Sequence, residues 1–456
     1  MRTQIEDYVR SLDLDAYLVG GAVRDELLEL ESKDADFLVP GVDTETLRDR
    51  LAPHGWVEDL VVADRLVGVR FTPRDEAVRR LAPAGLEFAP PRREVSTGPG
   101  RHDFAIVADA SISVEEDLKR RDFTVNAIAR RLTDGALVDP LKGERDLRNR
   151  VLRAVSPTSF AEDPLRLVRG LRLVSTLGLE PEEDTLRQMR DEAGAIRLVS
   201  PERIGGGLKA DGMGELSKLL LGAQPARALR LARDTGVLVH VLPEFEPAVG
   251  YEQRGRRQHL TLDEYLFEAV QGTADAGARL TVRLAALLHD LGKPEADRTG
   301  VDHAALGAAL ARRALRRLRY PSRLQAYVGR IVHEHAFAEP DEPRAVDARR
   351  FLARHGEELA LDLLEHKAAD LSAKRPRAET LAGIARLRQL VAEERRHPHE
   401  LAQLAVDGSD LLALGFREGR ELGRVLGLLL HEVVEEPARN ERDWLLERAA
   451  RELVGA

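Results

Sequence analysis

The spacing of apolar and polar positions changes character about a third of the way along the chain. Over the first 150 residues, short apolar runs bounded by Gly, Pro and Asp read as strands. These are Tyr17-Leu18-Val19 ending in Gly20-Gly21, Phe37-Leu38-Val39 closed by Pro40-Gly41, and the stretches 66–71, 86–89 and 104–107. A helical pattern over 22–30 separates the first two, and 90–102, dense in Pro, Gly and Arg, reads as a mobile loop. From about residue 155 the strand signals stop. Apolar residues then recur at helical spacing through 164–177, 226–239, 280–291, 308–318, 351–365 and 381–393. Pro201, Pro243, Pro321, Pro340, Pro343 and Pro398 punctuate these segments, with no fixed-period repeat. The expected fold class is α+β: a small mixed α/β head followed by an all-helical remainder.

Composition agrees and adds limits. A length of 456 residues predicts two to four units. Aromatics are only 4%, so burial must rest on Leu, Val and Ala, which favours helices over a β-sandwich. The net charge of -9 argues against nonspecific coating of nucleic acid but leaves room for a basic stripe that meets RNA. The cations are mostly Arg, the residue suited to bidentate phosphate and base contacts. The absence of Cys excludes disulfides, thiolate metal sites and Cys nucleophiles. No apolar run approaches the ~18–20 residues of a membrane span, so a cytoplasmic protein is expected.

The head carries candidate chemistry. Asp34-Ala35-Asp36 leads into the strand Phe37-Leu38-Val39, and strand residues two apart project to one face. Two carboxylates held that close repel unless a cation lies between them, and Mg²⁺ accepts such oxygens while keeping positions open for phosphate. An exposed Asp pair on a strand edge fits the same pattern. The preceding turn shifts the balance: Gly20-Gly21 between strand and helix lets backbone N–H groups approach phosphate, and Arg24 adds a fixed positive charge. Glu87, in the apolar stretch 86–89, is a candidate third carboxylate from a neighbouring strand.

YLVGGAVRD at 17–25 followed by KDADFLV at 33–39 resembles the head of class II tRNA nucleotidyltransferases and bacterial poly(A) polymerases. RRDFTVNAIA at 120–129 is similar to the family's nucleotide-binding segment, DPLKGERDLRNRVLR at 139–153 to its head-to-neck connector, and EDPLRLVRGLR at 162–172 to its base-reading motif. Four motifs in the family's order cover about the first 205 residues, ending near SPERI at 200–204. The resemblance implies attack of an RNA 3′ hydroxyl on an α-phosphate, with Asp34 and Asp36 holding two Mg²⁺ ions. It also implies that Gly20, Gly21 and Arg24 bind phosphates and that Arg121 and Asn126 hold triphosphate and sugar. The expected divisions are a catalytic head over 1–153, a base-recognising neck over 154–220, a body over 221–380 and a tail over 381–456.

Asp163 and Arg166, three apart in an expected helix, should share a face. A carboxylate accepts hydrogen bonds and a guanidinium only donates them. Cytosine and adenine both present an amino donor beside a ring-nitrogen acceptor, so the pair complements both, whereas uracil and guanine present the reverse. Arg169 and Arg172 continue the row, as nucleotide contacts by the resemblance or as a solvated face by pattern alone. The expected reaction is addition of CCA to tRNA from CTP and ATP. A poly(A) polymerase or a CC-only enzyme shares every motif, and retention of the Arg-rich segment 90–102 favours the full CCA reaction.

ALLHDLGKP at 286–294 resembles the His-Asp signature of HD-superfamily phosphohydrolases. His289, Asp290 and Asp370 fit three expected ligands, but the earlier histidine position is occupied by Tyr265, with His259 six residues away. This favours a helical scaffold with an altered metal site, to which His303, His333 and His335 are further candidate ligands, and makes HD-type phosphohydrolysis the alternative function of a different class. Arg312, Arg313, Arg316, Arg317, Arg319 and Arg323 form a stretch suited either to RNA phosphate or to intramolecular carboxylates.

Overall fold

The computed structural model describes residues 2–31, 35–62, 65–96, 104–108, 110–206, 213–253, 259–338, 340, 342–374 and 378–454. The chain divides into two compact units, Met1–Pro243 and Glu244–Ala456.

The described strands of the first unit are β1 (Tyr17–Val19), β2 (Asp36–Leu38), β3 (Gly55–Val62), β4 (Arg65–Pro73), β5 (Leu86–Ala89), β6 (Arg92–Ser96), β7 (Phe104–Ala108), β8 (Ala129–Arg131), β9 (Leu137–Val138) and a short parallel pair, β10 (Val151–Leu152) and β11 (Glu180–Pro181), the last of which interrupts the stretch expected to be all-helical. Seven of them form one sheet in the order β3-β4-β5-β2-β1-β8-β9. Every pairing in it is antiparallel except β2 with β5. Both faces of its centre are covered. Leu18, Phe37, Phe71, Leu86 and Phe88 enter one apolar cluster, and Tyr17, Val19, Leu38, Val114, Leu118 and Ala129 enter another. Burial on both faces is why these central strands read as unbroken apolar runs rather than as an alternation.

The apolar pattern misses the short strands β8 to β11 and two longer ones, β3 and β6, these two for opposite reasons. β3 is an edge strand with Trp56 and Val61 exposed and Glu58-Asp59 in its middle, so it lacks an apolar run. β6 lies within 90–102, the segment expected to be a mobile loop. It pairs with β7 through Arg92↔Ala108 to Ser96↔Phe104, and the amides and carbonyls of a ladder are satisfied whatever side chains they carry. Residues 97–102 of that segment lie outside the described residues.

The connector motif is a packing device. The Asp139 carboxylate accepts from the Gly143 and Glu144 amides at 2.7 and 3.0 Å, and Asp146 accepts from the Thr124 hydroxyl at 2.8 Å and Arg153 Nε at 2.9 Å. A Cβ at Gly143 would lie 2.0 Å from the Thr124 carbonyl oxygen, so only glycine lets this helix start press against the RRDFTVNA segment. The helix Leu165–Leu177 follows, burying Leu167, Val168, Leu171 and Val174 against the helices Glu215–Leu220 and Pro225–Asp234.

The regular elements described in the second unit are all helices, with one isolated bridge between Glu252 and Thr261. The helix Leu262–Asp275 packs on Leu280–Leu288 and Glu357–Ser372, and Ala345–His355 packs on Ala378–Glu394. Among the described residues, no helix is long and apolar enough to cross a membrane.

Candidate active site

A cleft of about 840 Å³ in the first unit gathers the predicted residues from distant parts of the sequence. Gly20, Gly21, Arg24, Asp36, Arg121, Asn126, Asp163, Arg166, Arg169 and Arg172 all line it. Asp36 heads β2 with an exposed side chain while Phe37 and Leu38 behind it are buried. Asp34 lies outside the described residues. Glu87 is the register partner of Asp36 on the parallel neighbour β5, but it lies outside the cleft lining and its carboxylate accepts from Arg70 Nη2 at 2.7 Å.

Gly20 adopts φ 70°, in the left-handed region, and its amide donates to the Ile128 carbonyl at 3.2 Å. A Cβ there would lie 2.7 Å from Arg121 Nη1. Gly20→Ala therefore imposes both backbone strain, about 1–2 kcal/mol, and displacement of a cleft cation. A lower midpoint of thermal unfolding and a CTP KM raised about tenfold, equivalent to ~1.4 kcal/mol, are expected; an unchanged KM would remove Arg121 from nucleotide binding.

The cations of the cleft are held in place by carboxylates. Arg24 donates from Nη1 to Asn126 Oδ1 at 2.7 Å, and from Nε and Nη2 to Asp25 at 2.8 and 2.5 Å. Asn126 Nδ2 in turn donates to Asp122 at 2.9 Å, and Asp122 lies 3.7 Å from Arg169 Nη1. Glu215 pairs with Arg169 at 3.3 Å and with Arg172 at 3.1 Å. Burial pushes the Asp122 carboxyl up, but the Arg169 charge and the Asn126 hydrogen bond outweigh it and hold the group below the usual carboxylate range. Burial lowers the Arg172 guanidinium from its ordinary value against the opposing pull of Glu215, so this end of the cleft favours an incoming anion.

Asp163 departs from expectation. It does not share a helix with Arg166, because Pro164 disfavours helical backbone at the residue before it. Asp163 is extended (φ -138°, ψ 96°) between the helices Ser159–Glu162 and Leu165–Leu177, and its carboxylate accepts from the Leu165 amide at 3.2 Å. Arg203 Nη2 lies 3.5 Å from its other oxygen. Arg166 is buried and fixed by bonds from Nη1 to the Ser159 carbonyl and Glu162, both at 3.3 Å, and from Nη2 to the Arg120 carbonyl at 2.7 Å.

Sequence reasoning passed over the carboxylates that do this positioning. Asp117 is fully buried, accepts from Arg120 Nε at 2.8 Å and Arg121 Nη2 at 3.3 Å, and also accepts from the Arg92 amide at 3.2 Å. Burial raises its carboxyl, and the two arginines more than offset that. Its spacing of three and four residues before Arg120 and Arg121 was the available signal.

In the second unit His289, Asp290 and Asp370 do converge, joined by His303, His335 and by His366, which the sequence reading did not single out. His289 Nε2 lies 3.2 Å from Asp290 and 3.3 Å from Asp370. Tyr265 lies beside this cluster, its hydroxyl 3.2 Å from His289 Nε2. Burial pushes the His289 imidazole down to about 4 and His366 well below its usual range, so both are neutral. His333 instead lines an open groove with Phe337, Phe351 and Arg354, and His259 lies just before the helix Leu262–Asp275 that carries Tyr265. Within the arginine stretch, Arg317 and Arg313 pair with Glu244 at 2.8 and 3.5 Å, so part of it has the intramolecular partner weighed above.

A central strand headed by an exposed aspartate, a glycine turn and anchored arginines beside it, and a polar pair at the mouth of the next helix define a nucleotidyl-transfer head. Residues 16–153 match the poly A polymerase head domain, 178–249 the probable RNA and SrmB-binding site of polymerase A, and 264–381 the HD domain. The multifunctional CCA protein of Xanthomonas campestris pv. campestris (strain B100) is 35% identical over 333 residues, covering 70% of this chain and 74% of that protein. The multifunctional CCA protein of Neisseria gonorrhoeae (strain NCCP11945) is 36% identical over 61% of this chain and 62% of its own length. The Bacillus stearothermophilus CCA-adding enzyme, solved in complex with CTP, matches with a TM-score of 0.69 at 26% identity, covering 99% of this chain and 98% of that one. The chain belongs to the family of tRNA nucleotidyltransferases and poly(A) polymerases that contains the multifunctional CCA proteins.

Proposed function

We propose that this chain adds CCA to tRNA 3′ ends from CTP and ATP in the cytoplasm, using Mg²⁺. The observation that carries the reading is the single cleft in which Asp36, the Gly20-Gly21 turn with Arg24, and Asp163 with Arg166 meet. The tRNA 3′ oxygen forms a bond to the α-phosphorus, the bond from that phosphorus to the bridging oxygen of pyrophosphate breaks, and the hydroxyl proton leaves to solvent. Carboxylate oxygens are the donors a hard cation takes; Asp34 and Asp36 would hold it, and when bound it supplies positive charge beside the attacking oxygen and the triphosphate. Arg24 and Arg121 neutralise the triphosphate, and Asn126 meets the sugar. Asp163 and Arg166 read the base edge, and Arg169 and Arg172 flank it. Glu87 stands beside Asp36 as the third carboxylate, its charge shared with Arg70. The head over 1–153, neck over 154–220, body over 221–380 and tail over 381–456 are the working divisions.

Incubation with tRNA lacking CCA, Mg²⁺ and each nucleotide in turn tests this. CTP alone should extend the tRNA by two residues, and CTP with ATP by three. Incorporation of C only would identify a CC-only enzyme; long A tails without C would identify a poly(A) polymerase. Phosphoester hydrolysis that survives Asp36→Ala and is lost in His289→Ala would select the phosphohydrolase reading.

A further inference from the structure

Asp117 lies out of reach of a nucleotide in the cleft, yet two cleft arginines are fastened to it. Its side chain is 0% exposed and stands outside the cleft lining, whereas Arg120, Arg121 and Arg166 are part of that lining. A buried carboxylate is costly unless donors fill its oxygens. Here the donors are divided between the two oxygens. Oδ1 accepts from the Arg92 amide at 3.2 Å and from Arg120 Nε at 2.8 Å, with Arg120 Nη2 2.7 Å away. Oδ2 accepts from Arg121 Nη2 at 3.3 Å.

The local sequence fixes this carboxylate firmly. The helix Val114–Leu118 that carries it is closed by a capping box: the Ser113 hydroxyl accepts from the Glu116 amide at 3.3 Å, and the Glu116 carboxylate accepts from the Ser113 amide at 3.2 Å. Val114 and Leu118 are anchored in the apolar core of the head. The chain then turns, with the Arg120 amide donating to the Asp117 carbonyl and the Arg121 amide to the Leu118 carbonyl, both at 3.3 Å. That turn brings both guanidinium groups back to one carboxylate.

Each oxygen serves a different end of the cleft. Arg121, the cation beside Gly20, keeps a buried Nε with no hydrogen-bond partner among the described residues, a donor left for an anion. On the other side, Arg120 is tied to Oδ1 by its side chain, and its carbonyl accepts from Arg166 Nη2 at 2.7 Å. The place of the buried Arg166 guanidinium therefore depends on Oδ1. We propose that Asp117 is a positioning residue for both ends of the nucleotide: Oδ2 aims Arg121 at the triphosphate, and Oδ1, through Arg120, sets Arg166 against the base. The inference rests on the CCA-adding reading given above.

Two variants of the full chain separate the oxygens, read by initial rates of CTP and UTP incorporation into tRNA lacking CCA. In Asp117→Asn the amide oxygen takes the side with two donors, and the amide nitrogen, itself a donor, faces Arg121. The KM for CTP should rise about tenfold, the scale of one hydrogen bond to a charged group, with kcat within about threefold and the CTP-to-UTP preference held. Asp117→Ala loses both oxygens and should also lower that preference about fivefold or more. A merely structural carboxylate would lower the active fraction, and so kcat, without moving KM or the preference; that result overturns the assignment. So does an unmoved KM in Asp117→Asn, or failure of this isostere to fold. If Asp117→Ala alone misfolds, the KM and preference of Asp117→Asn decide. A parent chain that adds no C to tRNA removes the CCA-adding reading and the inference with it, whereas an active parent with unmoved variants removes the inference alone.

Discussion

Asp36→Ala is expected to lower the single-turnover rate of CTP incorporation into tRNA about a thousandfold, the scale on which removing one preorganised electrostatic group from a reaction centre acts. The side chain stands exposed at the head of β2, so its removal leaves the Phe37–Phe88 stack, with ring centroids 5.1 Å apart, undisturbed. Thermal stability should therefore move by no more than about 0.5 kcal/mol, as for other surface substitutions. Apparent tRNA affinity should also hold, since tRNA meets surfaces beyond this carboxylate. Asp36→Asn keeps the shape and loses the charge, and should be nearly as slow as Asp36→Ala. A loss of less than tenfold in both variants would place the reaction centre elsewhere.

The second large effect is on choice rather than rate. Asp163→Ala should reduce the preference for CTP over UTP by about 10–100-fold in kcat/KM, corresponding to the ~1–3 kcal/mol that a well-aligned pair of hydrogen bonds contributes to base discrimination. Loss of the bond to the Leu165 amide should cost about 1 kcal/mol of stability, the scale of one intramolecular hydrogen bond. The ratio of the two nucleotides, measured in the same preparation, cancels that cost. Arg166→Ala is the less direct probe. It removes the donors that satisfy the Ser159 and Arg120 carbonyls, so misfolding and misreading would arrive together. A CTP-to-UTP ratio unmoved by Asp163→Ala would take base reading away from this residue.

The parts of the cleft that were legible in the sequence are those whose chemistry requires a local pattern. A glycine pair must follow a strand for backbone to approach phosphate, and a carboxylate must head a strand to project from its end. What was not legible depends on contacts between segments far apart. Asp122 sits in the quoted RRDFTVNA motif, yet its role appears only once Asn126 and Arg169 are seen against it. Glu215 reads as one more helical Glu until its carboxylate is found between Arg169 and Arg172. Helical spacing carried through Pro164 predicts a helix at Asp163, but the steric restriction before proline decides instead. His366 lies outside the HD signature as the sequence presents it, although its spacing of four from Asp370 puts both on one helix face.

The run of contacts from Arg24 through Asn126, Asp122, Arg169 and Glu215 to Arg172 has a thermodynamic consequence. Groups at the phosphate end and at the base end share partners, so their contributions to nucleotide affinity should not add. Single substitutions at Asn126 and Arg169 would each release the other's anchor, and the double variant should lose less than the sum of the two. The cleft would then weigh a nucleotide as a whole, with a poorly fitting base loosening the grip on its own triphosphate.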